Sequence, residues 1–435
     1  MVPPRAPHPR RLAALLAAAI CLGAVPPASA QNALLCSSVL QNWYVRDAMS
    51  DLYLWYERIP AVNALRYPSP EAYLEAIRYR PLDATFSYIG LKAAEEAFYS
   101  DSQFIGYGLS TRLEGAAARV LQVFPDSPAA EAGLRRGDRI VAINGVAVET
   151  LVATGRYGGA FGPAELGVVS TVRFLDQHGL VAEATMVKRL VTIPTVSMTR
   201  VFEVDGRRVG YVFFRNFVQP SFEALDVAFG QLTDAGVDEM VLDLRYNGGG
   251  LVSVAQHLAS LLGGARVRGQ VFAEYFHNDR NAHRNRVVRF EGASHALELD
   301  RLVVITTRSS ASASELVINA LRPFLPVLVV GETTYGKPVG QYGVPFCEKV
   351  LYPVSFLLRN AAGEGDFFGG FLPDCAAPDD ADRQLGDPLE GSLAEALHLV
   401  GTGACRQPVA SGTVRARRVE PRVLVDGWQL LVNAF

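Results

Sequence analysis

Four of the six residues from Ser309 to Ser314 are serines, and a lone lysine, Lys337, follows an apolar run farther along the chain. A serine hydroxyl becomes a nucleophile when a neighbouring base removes its proton, and a lysine can be that base when burial lowers its pKa. Gln341 stands four residues beyond the lysine. We therefore place the chemistry of this chain in residues 309–341.

Ser312 has the most informative local context of the four serines. It precedes a helical pattern from Glu315 to Arg322, and with Glu315 it forms the Ser-x-x-Glu pattern of a capping box. One interpretation is a structural N-cap whose hydroxyl serves only the backbone. The other is a nucleophile, because a helix N-terminus favours the negative charge that develops during acyl transfer.

Lys337 lies in the sequence Gly336-Lys337-Pro338, shortly after the apolar residues 327–330, and this setting permits burial. Without burial the lysine would be a solvated, protonated surface charge that cannot accept a proton. The residues from Gly331 onward nearly form a phosphate-binding loop. Pro338 stands where that loop needs serine or threonine, which argues against a nucleotide hydrolase.

Two alternatives involve histidines in the polar stretch 274–286. His277 could replace the lysine in a Ser–His–Asp triad, since separation in sequence does not measure separation in space. His277, Asp279 and His283 are also near enough in sequence for a metal site, but the surrounding composition is typical of a polar loop. We therefore predict no metal and no cofactor.

A second motif combines a predicted strand, residues 240–244, which is apolar except for Asp243, with the run Asn247-Gly248-Gly249-Gly250 and a helical pattern from Val252 to Leu262. Glycines between a buried strand and a helix bring backbone N–H groups together, where they can hold an anion. Strands and helices alternate around this motif from Gly206 to about Val400. This alternation predicts an α/β core.

Residues 104–193 have a different pattern, in which short strands are joined by turns. Ser127-Pro128 predicts the start of a short helix and Gly133 its end. A strand from Arg139 to Ile143 leads into a tight turn at Asn144-Gly145.

This segment resembles a PDZ domain, and the stretch SPAAEAGLRRGDRIVAINGVAV carries the resemblance. Gly106-Tyr107-Gly108-Leu109 falls where that family has its carboxylate-binding loop. There, backbone N–H groups capture a chain terminus while the peptide adds a strand to the sheet edge. The other interpretation of these glycines is a tight entry into a strand, and the sequence does not separate the two.

The first thirty residues have the features of a secretory signal peptide. Three arginines precede an apolar run from Leu12 to Val25, and Ala28-Ser29-Ala30 supplies small residues for cleavage after Ala30. We therefore expect a periplasmic or secreted protein. The net charge is −3 and becomes more acidic after cleavage, which argues against a nucleic-acid partner. No other apolar run is long enough to span a bilayer.

The length of 435 residues favours several domains. Residues 31–103 are predicted to be helical, with an aromatic stripe that includes Trp43, Tyr44 and Tyr53 and that is typical of a core rather than of an active site. Four cysteines remain after cleavage, and an even number in an exported chain favours disulfides. Of the three possible pairings we favour Cys347–Cys375 with Cys36–Cys405.

Three motifs, SASASELVINAL, GETTYGKPVGQ and VLDLRYNGGG, resemble those of the C-terminal processing peptidases, the tail-specific serine peptidases. The resemblance covers residues 104–400. In that family the serine beginning Ser-Ala-Ser-Glu is the nucleophile, here Ser312. The lysine of the Gly-Lys motif is the general base, here Lys337, and a glutamine four residues later, here Gln341, orients it.

The resemblance also implies an oxyanion hole. It would use the backbone N–H after the nucleophile, Ala313, together with one from the glycine run, Gly249 or Gly250. The run departs from the family in having Tyr246 where asparagine is common, and Pro338 follows the lysine where glycine is usual. Neither departure removes a reacting group.

The expected protein is an exported serine endopeptidase that cleaves protein substrates with a Ser–Lys dyad and recognises their C-terminal ends through the PDZ-like domain. The alternative is a non-catalytic protein that binds peptides or other ligands on the same fold. The implied fold is multidomain α/β, with an N-terminal helical segment, a β-rich PDZ-like domain and an α/β crotonase/Clp-protease-like core. The predicted domains are a signal peptide (1–30), a helical region (31–103), a PDZ-like domain (104–193), a peptidase core (194–400) and a C-terminal tail (401–435).

Overall fold

The computed structural model describes residues 36–406, so the predicted signal peptide and the chain beyond residue 406 lie outside the described residues. The N-terminal region is largely helical, as predicted. Its second helix begins at Pro70, because the Ser69 side chain accepts a hydrogen bond from the Ala72 N–H and proline suits the first turn. The elements are α1 (Ser38–Leu52), α2 (Pro70–Ile77), β1 (Tyr88–Leu91) and α3 (Lys92–Asp101).

The PDZ domain follows as a set of short strands. Its elements are β2 (Gln103–Gly106), β3 (Leu109–Glu114), β4 (Ala117–Val123), α4 (Pro128–Glu131), β5 (Arg139–Ile143), β6 (Val146–Ala147), α5 (Val148–Ala153), β7 (Val169–Leu175), β8 (Val181–Val187) and β9 (Arg189–Thr192). The main sheet has the order β3-β4-β5-β7-β8, with β6 against β5, and β2 pairs with β9. Asn144 and Gly145 have φ of 50° and 77°, which forms the predicted tight turn between β5 and β6.

The rest of the described chain forms the α/β core. Its elements are β10 (Val196–Val204), β11 (Arg207–Phe214), α6 (Ser221–Asp234), β12 (Glu239–Asp243), α7 (Val252–Val267), β13 (Val271–His277), β14 (Arg286–Arg289), β15 (Leu302–Thr306), α8 (Ala313–Leu321), β16 (Val327–Gly331), β17 (Val339–Gln341), β18 (Val344–Phe346), β19 (Lys349–Tyr352), β20 (Val354–Arg359), β21 (Cys375–Ala376) and α9 (Gly391–Thr402). The largest sheet of this core has the order β10-β11-β12-β15-β16-β21 and is parallel except for the β10–β11 pair. A second sheet has the order β14-β13-β20-β17.

The largest sheet is covered on both faces. Alternate residues of β12, Met240 and Leu242, join a core with α6, α7 and α8, whereas Val241 joins a core with α9. A parallel sheet needs cover on both faces, which is why its strands are continuous apolar runs in the sequence. None of the helices between residues 36 and 406 combines the length and hydrophobicity needed to cross a membrane.

Strand β1 joins the N-terminal region to a distant part of the chain. It pairs with β19 in a three-stranded sheet of order β1-β19-β18, with Tyr88 opposite Tyr352. Met49 and Tyr53 of the N-terminal region share a hydrophobic core with Leu351 of β19. The N-terminal region therefore packs directly against the segment that follows the lysine motif.

Buried ion pairs hold the PDZ domain on the core. Arg136 donates to the Asp379 carboxylate at 2.9 Å and to the Tyr246 hydroxyl at 2.7 Å, and Arg112 donates to Asp379 at 2.8 Å. Burial opposes ionisation of Asp379, but Arg136 and Arg245 hold the pKa of its carboxyl well below the usual range. The interface thus contains a buried carboxylate, Asp379, whose negative charge is stabilised by the arginines around it.

The disulfide pairing predicted from the sequence is wrong. The structure joins Cys36 to Cys347, with Cα atoms 6.0 Å apart, and Cys375 to Cys405, with Cα atoms 5.4 Å apart. Cys347 lies in the turn between β18 and β19, beside α1, whereas Cys375 lies in β21 at the edge of the largest sheet. We paired Cys347 with Cys375 because they are close in the sequence, but in the fold the turn that holds Cys347 and the strand that holds Cys375 belong to different parts of the core.

Candidate active site

Ser312 lies at the junction between the loop after β15 and the first residue of α8. Its φ of 55° and ψ of −112° are non-helical and strained for a residue with a side chain. Such strain persists only where the surrounding structure enforces it, and it often marks a functional position. The predicted helix is confirmed, and the sequence alone gave no sign of this backbone conformation.

The neighbouring serines have other tasks. The Ser310 hydroxyl donates to the Leu244 carbonyl and the Ser314 hydroxyl to the Asn247 carbonyl, both at 2.8 Å, and both serines are fully buried. These bonds fasten the serine turn to the strand end and glycine run after β12. Of the four serines, Ser312 is the one that lines a cavity together with Lys337.

A cavity of about 380 Å³ opens beside Ser312. Apolar side chains from α8 and β20 make up much of its wall, including Leu316, Phe356 and Leu358. The residues that carry the predicted chemistry and line this cavity are Gly250, Ser312, Ala313, Lys337 and Gln341. Residues up to 91 positions apart in the sequence, from Gly250 to Gln341, thus line one cavity.

Lys337 is buried, with only 6% of its surface exposed. Burial lowers the pKa of its ammonium group from 10.5 to about 8, against the opposing charges of the Asp83 and Glu315 carboxylates. Its Nζ donates a hydrogen bond to Gln341 Oε1 at 2.6 Å. A lysine with this pKa has a substantial neutral fraction near neutral pH and can accept a proton.

Gln341 is held in one orientation by two backbone carbonyls. Its Nε2 donates to the Phe86 carbonyl at 2.6 Å and to the Tyr352 carbonyl at 2.8 Å. Because both donors of the amide are used in this way, the side-chain oxygen faces Lys337. Phe86 belongs to the N-terminal region, where the sequence pattern predicts only a core and no site residue.

Glu315 links the serine turn to the lysine turn. Its fully buried carboxylate accepts from the backbone N–H groups of Ser312 (2.9 Å), Gly336 (2.6 Å) and Lys337 (2.8 Å) and from the Thr334 hydroxyl (2.6 Å). Burial raises the pKa of this carboxyl, and the four donors counter that effect. The sequence identified Glu315 only as one half of a capping box. These bonds also show how the lysine is held despite Pro338.

The glycine run approaches the serine turn closely. A Cβ atom on Gly249 would lie 2.8 Å from the Ala313 nitrogen, and one on Gly250 would lie 2.1 Å from the Phe217 carbonyl oxygen. The Gly249 N–H donates to Asn247 Oδ1 at 3.0 Å, whereas the N–H groups of Gly250 and Ala313 have no partner among residues 36–406. Of the two glycines predicted for an oxyanion hole, Gly250 is therefore the one with a free donor beside the cavity.

The predicted carboxylate-binding loop lies between β2 and β3. The Tyr107 ring is fully buried and its hydroxyl contacts Ser170 Oγ at 2.8 Å, and Leu109 is equally buried. Gly106 ends β2, and Gly108 has a φ of 80° with its carbonyl accepting from the Phe124 N–H. These side chains form PDZ core, so a ligand here would meet only backbone and the edge strand β3.

His277 is not among the residues that line the cavity beside Ser312. Its Nδ1 is 3.0 Å from Asn285 Oδ1 and its Nε2 is 2.9 Å from the Tyr342 hydroxyl. Because an amide oxygen only accepts, Nδ1 carries the proton and Nε2 accepts from Tyr342. Burial lowers the pKa of this imidazole. With both ring nitrogens occupied, His277 does not serve as the base for Ser312 in this structure.

Family models match three parts of the chain. Residues 208–374 match the peptidase family S41, residues 40–88 match the peptidase S41 N-terminal domain, and residues 119–157 match a PDZ domain. These matches agree with the three regions seen in the fold. The PDZ match covers β4 to α5 of that domain, and the S41 match covers the core from β11 to the loop before β21.

Curated relatives and a solved structure agree with these matches. The chain is 29% identical over 238 residues to the carboxyl-terminal-processing protease of Synechocystis sp., covering 54% of this chain and 52% of that protein. It is 27% identical over 285 residues to the carboxy-terminal-processing protease of Bartonella bacilliformis, covering 62% of each. The chain therefore spans about half to three-fifths of the length of these relatives.

Among solved structures, a Bacteroides fragilis protein assigned to the S41 proteases superposes with a TM-score of 0.69 at 27% identity. The superposition covers 82% of this chain and 96% of that one. Residues 208–374 thus match the model of peptidase family S41, and the chain is similar to carboxyl-terminal-processing proteases over about half of its length. Its PDZ domain lies between its N-terminal region and its α/β core.

Proposed function

We propose that the protein is an exported serine endopeptidase that uses Ser312 as nucleophile and Lys337 as general base. The observation that carries this proposal is a buried lysine with a pKa of about 8 in the same cavity as a serine held at a strained helix N-terminus. Export is supported by the features of residues 1–30 and by the two disulfides.

The chemistry follows from the protonation state of Lys337. At pH 7 about one molecule in ten has a neutral Lys337, against roughly one in three thousand for a lysine at its ordinary pKa. Neutral Nζ accepts the Ser312 proton while Oγ bonds to the carbonyl carbon of the scissile peptide. The resulting ammonium then gives that proton to the leaving amine, which produces an acyl-enzyme. Water, deprotonated by the same lysine, attacks the ester and releases the acid.

The free N–H groups of Gly250 and Ala313 would stabilise the oxyanion that forms when Ser312 attacks. Donors fixed in a partly apolar cavity stabilise developing charge without reorganising, and one such donor is worth about 10²–10³ in rate. Ala313 is also the first residue of α8, so the helix N-terminus adds to this effect.

No hydrogen bond joins Ser312 Oγ to Lys337 Nζ within the described part of the chain, where Nζ is bonded to Gln341. Catalytic hydrogen bonds are often long or absent without substrate and tighten in the Michaelis complex. We expect the Ser312–Lys337 bond to form when substrate fills the cavity. Gln341 then keeps the lysine aimed along the cavity wall rather than toward solvent.

We further propose that the PDZ domain receives the C-terminal end of the substrate. Strand β3 lies at the edge of the PDZ sheet and can accept an added strand, and the preceding loop at Gly106–Leu109 offers backbone donors for a carboxylate. The buried Arg136–Asp379 contact places this domain against the core that holds Ser312.

Hydrolysis of a peptide with an apolar C-terminus, monitored by fluorescence, tests the proposal. Ser312→Ala and Lys337→Met should each abolish turnover and leave the circular dichroism spectrum unchanged. Ser309→Ala and Lys92→Met are matched controls, because Ser309 lies outside the cavity and Lys92 is exposed. Labelling of Ser312 by a serine-directed phosphonate should require Lys337. Peptide binding without turnover or labelling in the wild type would instead indicate a non-catalytic binding protein.

A further inference from the structure

The loop that precedes β1 extends the active site into the N-terminal region. Within it, the Phe86 carbonyl accepts one of the two hydrogen bonds that orient Gln341, and the Phe86 ring lies 5.9 Å from Lys337 Nζ. A backbone carbonyl can hold Gln341 only if the loop itself is fixed. The residue that fixes this loop is therefore part of the support of the base.

Asp83 fixes the loop through four hydrogen bonds. One carboxylate oxygen accepts from the backbone N–H groups of Phe86 and Ser87, both at 2.9 Å. The other accepts from the Ser87 hydroxyl at 2.6 Å and from the Tyr53 hydroxyl at 2.9 Å. Asp83 is fully buried, and Tyr53 is the C-cap residue of helix α1, so the carboxylate ties the loop to the N-terminal helices.

The charge of Asp83 also reaches the lysine. Burial lowers the pKa of Lys337, and the two carboxylates that oppose this effect are Asp83 and Glu315. Glu315 approaches from α8 and holds the backbone of the lysine turn. Asp83 approaches from the N-terminal region and holds no atom of Lys337 directly. Its influence on the side chain is electrostatic and, through Phe86 and Gln341, geometric.

We propose that Asp83 is a positioning residue for the general base, and that the N-terminal region completes the active site through it. This inference rests on the proposed role of Lys337. Asp83 contacts neither substrate nor reacting atoms. It fixes the Phe86 carbonyl, which turns the Gln341 oxygen toward Lys337. Its negative charge also stabilises the protonated form of Lys337, so that the lysine, once it has accepted a proton, can keep it until the leaving amine takes it.

Two substitutions separate the geometric effect from the electrostatic one. Asp83→Asn keeps the volume and an oxygen that accepts from the Phe86 and Ser87 N–H groups, but it removes the charge. Asp83→Ala removes every acceptor and releases the loop. Asp47→Asn is the matched control, since Asp47 is an exposed carboxylate of the same N-terminal region.

The measurement is kcat and KM across pH 6–10 for the wild type and the three variants. For Asp83→Ala we expect kcat to fall at least about tenfold with KM changed less than about twofold, because the base is misplaced while the substrate still binds. For Asp83→Asn we expect a kcat at the plateau within about threefold of wild type. The acid limb of its kcat–pH profile, where activity falls as Lys337 becomes protonated, moves to lower pH, because loss of a nearby negative charge favours the neutral lysine.

If Asp83 has a purely structural role, both variants melt at a lower temperature than the wild type. The acid limb of the Asp83→Asn profile then coincides with the acid limb of the wild type. That result overturns the inference, as does a wild-type kcat in Asp83→Ala. If Asp83→Ala does not fold, the position of the Asp83→Asn limb decides alone. Failure of the proposed function is a different result, because then the wild type itself shows neither turnover nor phosphonate labelling.

Discussion

We expect the buried charge of Lys337 to lower the free energy of unfolding, although the proposed activity requires this lysine. A pKa lowered from 10.5 to about 8 corresponds to a cost of about 3 kcal/mol for keeping this side chain charged in the folded state at pH 7. Lys337→Met has a similar length and removes the charge. The substitution leaves Gln341 Oε1 without its donor, which costs about 1 kcal/mol. We therefore expect Lys337→Met to be inactive and more stable by about 2 kcal/mol.

The pH dependence of this gain has a defined sign. The folded-state pKa of about 8 lies below that of an unfolded lysine, so the unfolded chain binds more protons between these two values. The penalty is fully present below pH 8 and is relieved as the pH rises from about 8 toward 10.4. The stability advantage of Lys337→Met over the wild type should therefore shrink across this window.

Urea unfolding of both proteins at pH 7 and pH 10, with disulfides intact, measures this difference. Lys92→Met controls for loss of a lysine at an exposed site and should leave stability unchanged at both pH values. A Lys337→Met variant that is less stable than the wild type at pH 7 would refute the idea that a buried charge is being tolerated. So would an advantage that stays constant between pH 7 and pH 10.

Three further outcomes test other parts of the structure. Glu315→Gln should lower kcat by about tenfold or more. In the variant, an amide NH₂ group would face backbone N–H donors that a carboxylate oxygen accepts in the wild type. A wild-type kcat would contradict the proposed role of Glu315 in holding the serine and lysine turns. Peptide mapping under non-reducing conditions should recover Cys36 linked to Cys347, and Cys36→Ser should lower stability by about 2–4 kcal/mol; recovery of Cys36 with another cysteine would show the pairing to be wrong. Arg136→Ala should destabilise the interdomain contact by about 3–5 kcal/mol, because it leaves Asp379 with fewer partners, and limited proteolysis should then cleave between PDZ domain and core; an unchanged digestion pattern would argue against this contact.

The sequence predicted the local elements well where periodicity and caps carried the information. The helix after Ser312, the turn at Asn144-Gly145 and the alternating pattern of the α/β core appear in the structure close to their predicted bounds. The positive φ of Ser312 was not predictable, because it results from contacts among Glu315, the glycine run and the lysine turn. Such strain is a property of the assembled fold rather than of a local pattern.

Long-range pairings account for the remaining differences. The number of cysteines predicted disulfides, but their pairing could not be predicted from the sequence. Cys347 lies beside Cys36 only because β1 pairs with β19 and so brings the β18–β19 turn next to α1. The same ladder explains why Phe86 was missed. Its contribution to the site is a backbone carbonyl, which every residue possesses, so no side-chain pattern in the sequence could mark it.

The placement of these groups has a consequence for how the site forms. The two carbonyls that orient Gln341 belong to Phe86 in the N-terminal region and Tyr352 in β19, and β1 and β19 pair directly. The Cys36–Cys347 disulfide closes the same contact from the other side, between the start of α1 and the β18–β19 turn. A chain whose N-terminal region has not docked therefore lacks one of the two bonds that hold the glutamine, as well as the charge of Asp83. The orientation of Gln341 thus depends on a contact between segments that are far apart in the sequence. We therefore expect Lys337, the base that we propose, to become competent only when the N-terminal region and the core are joined.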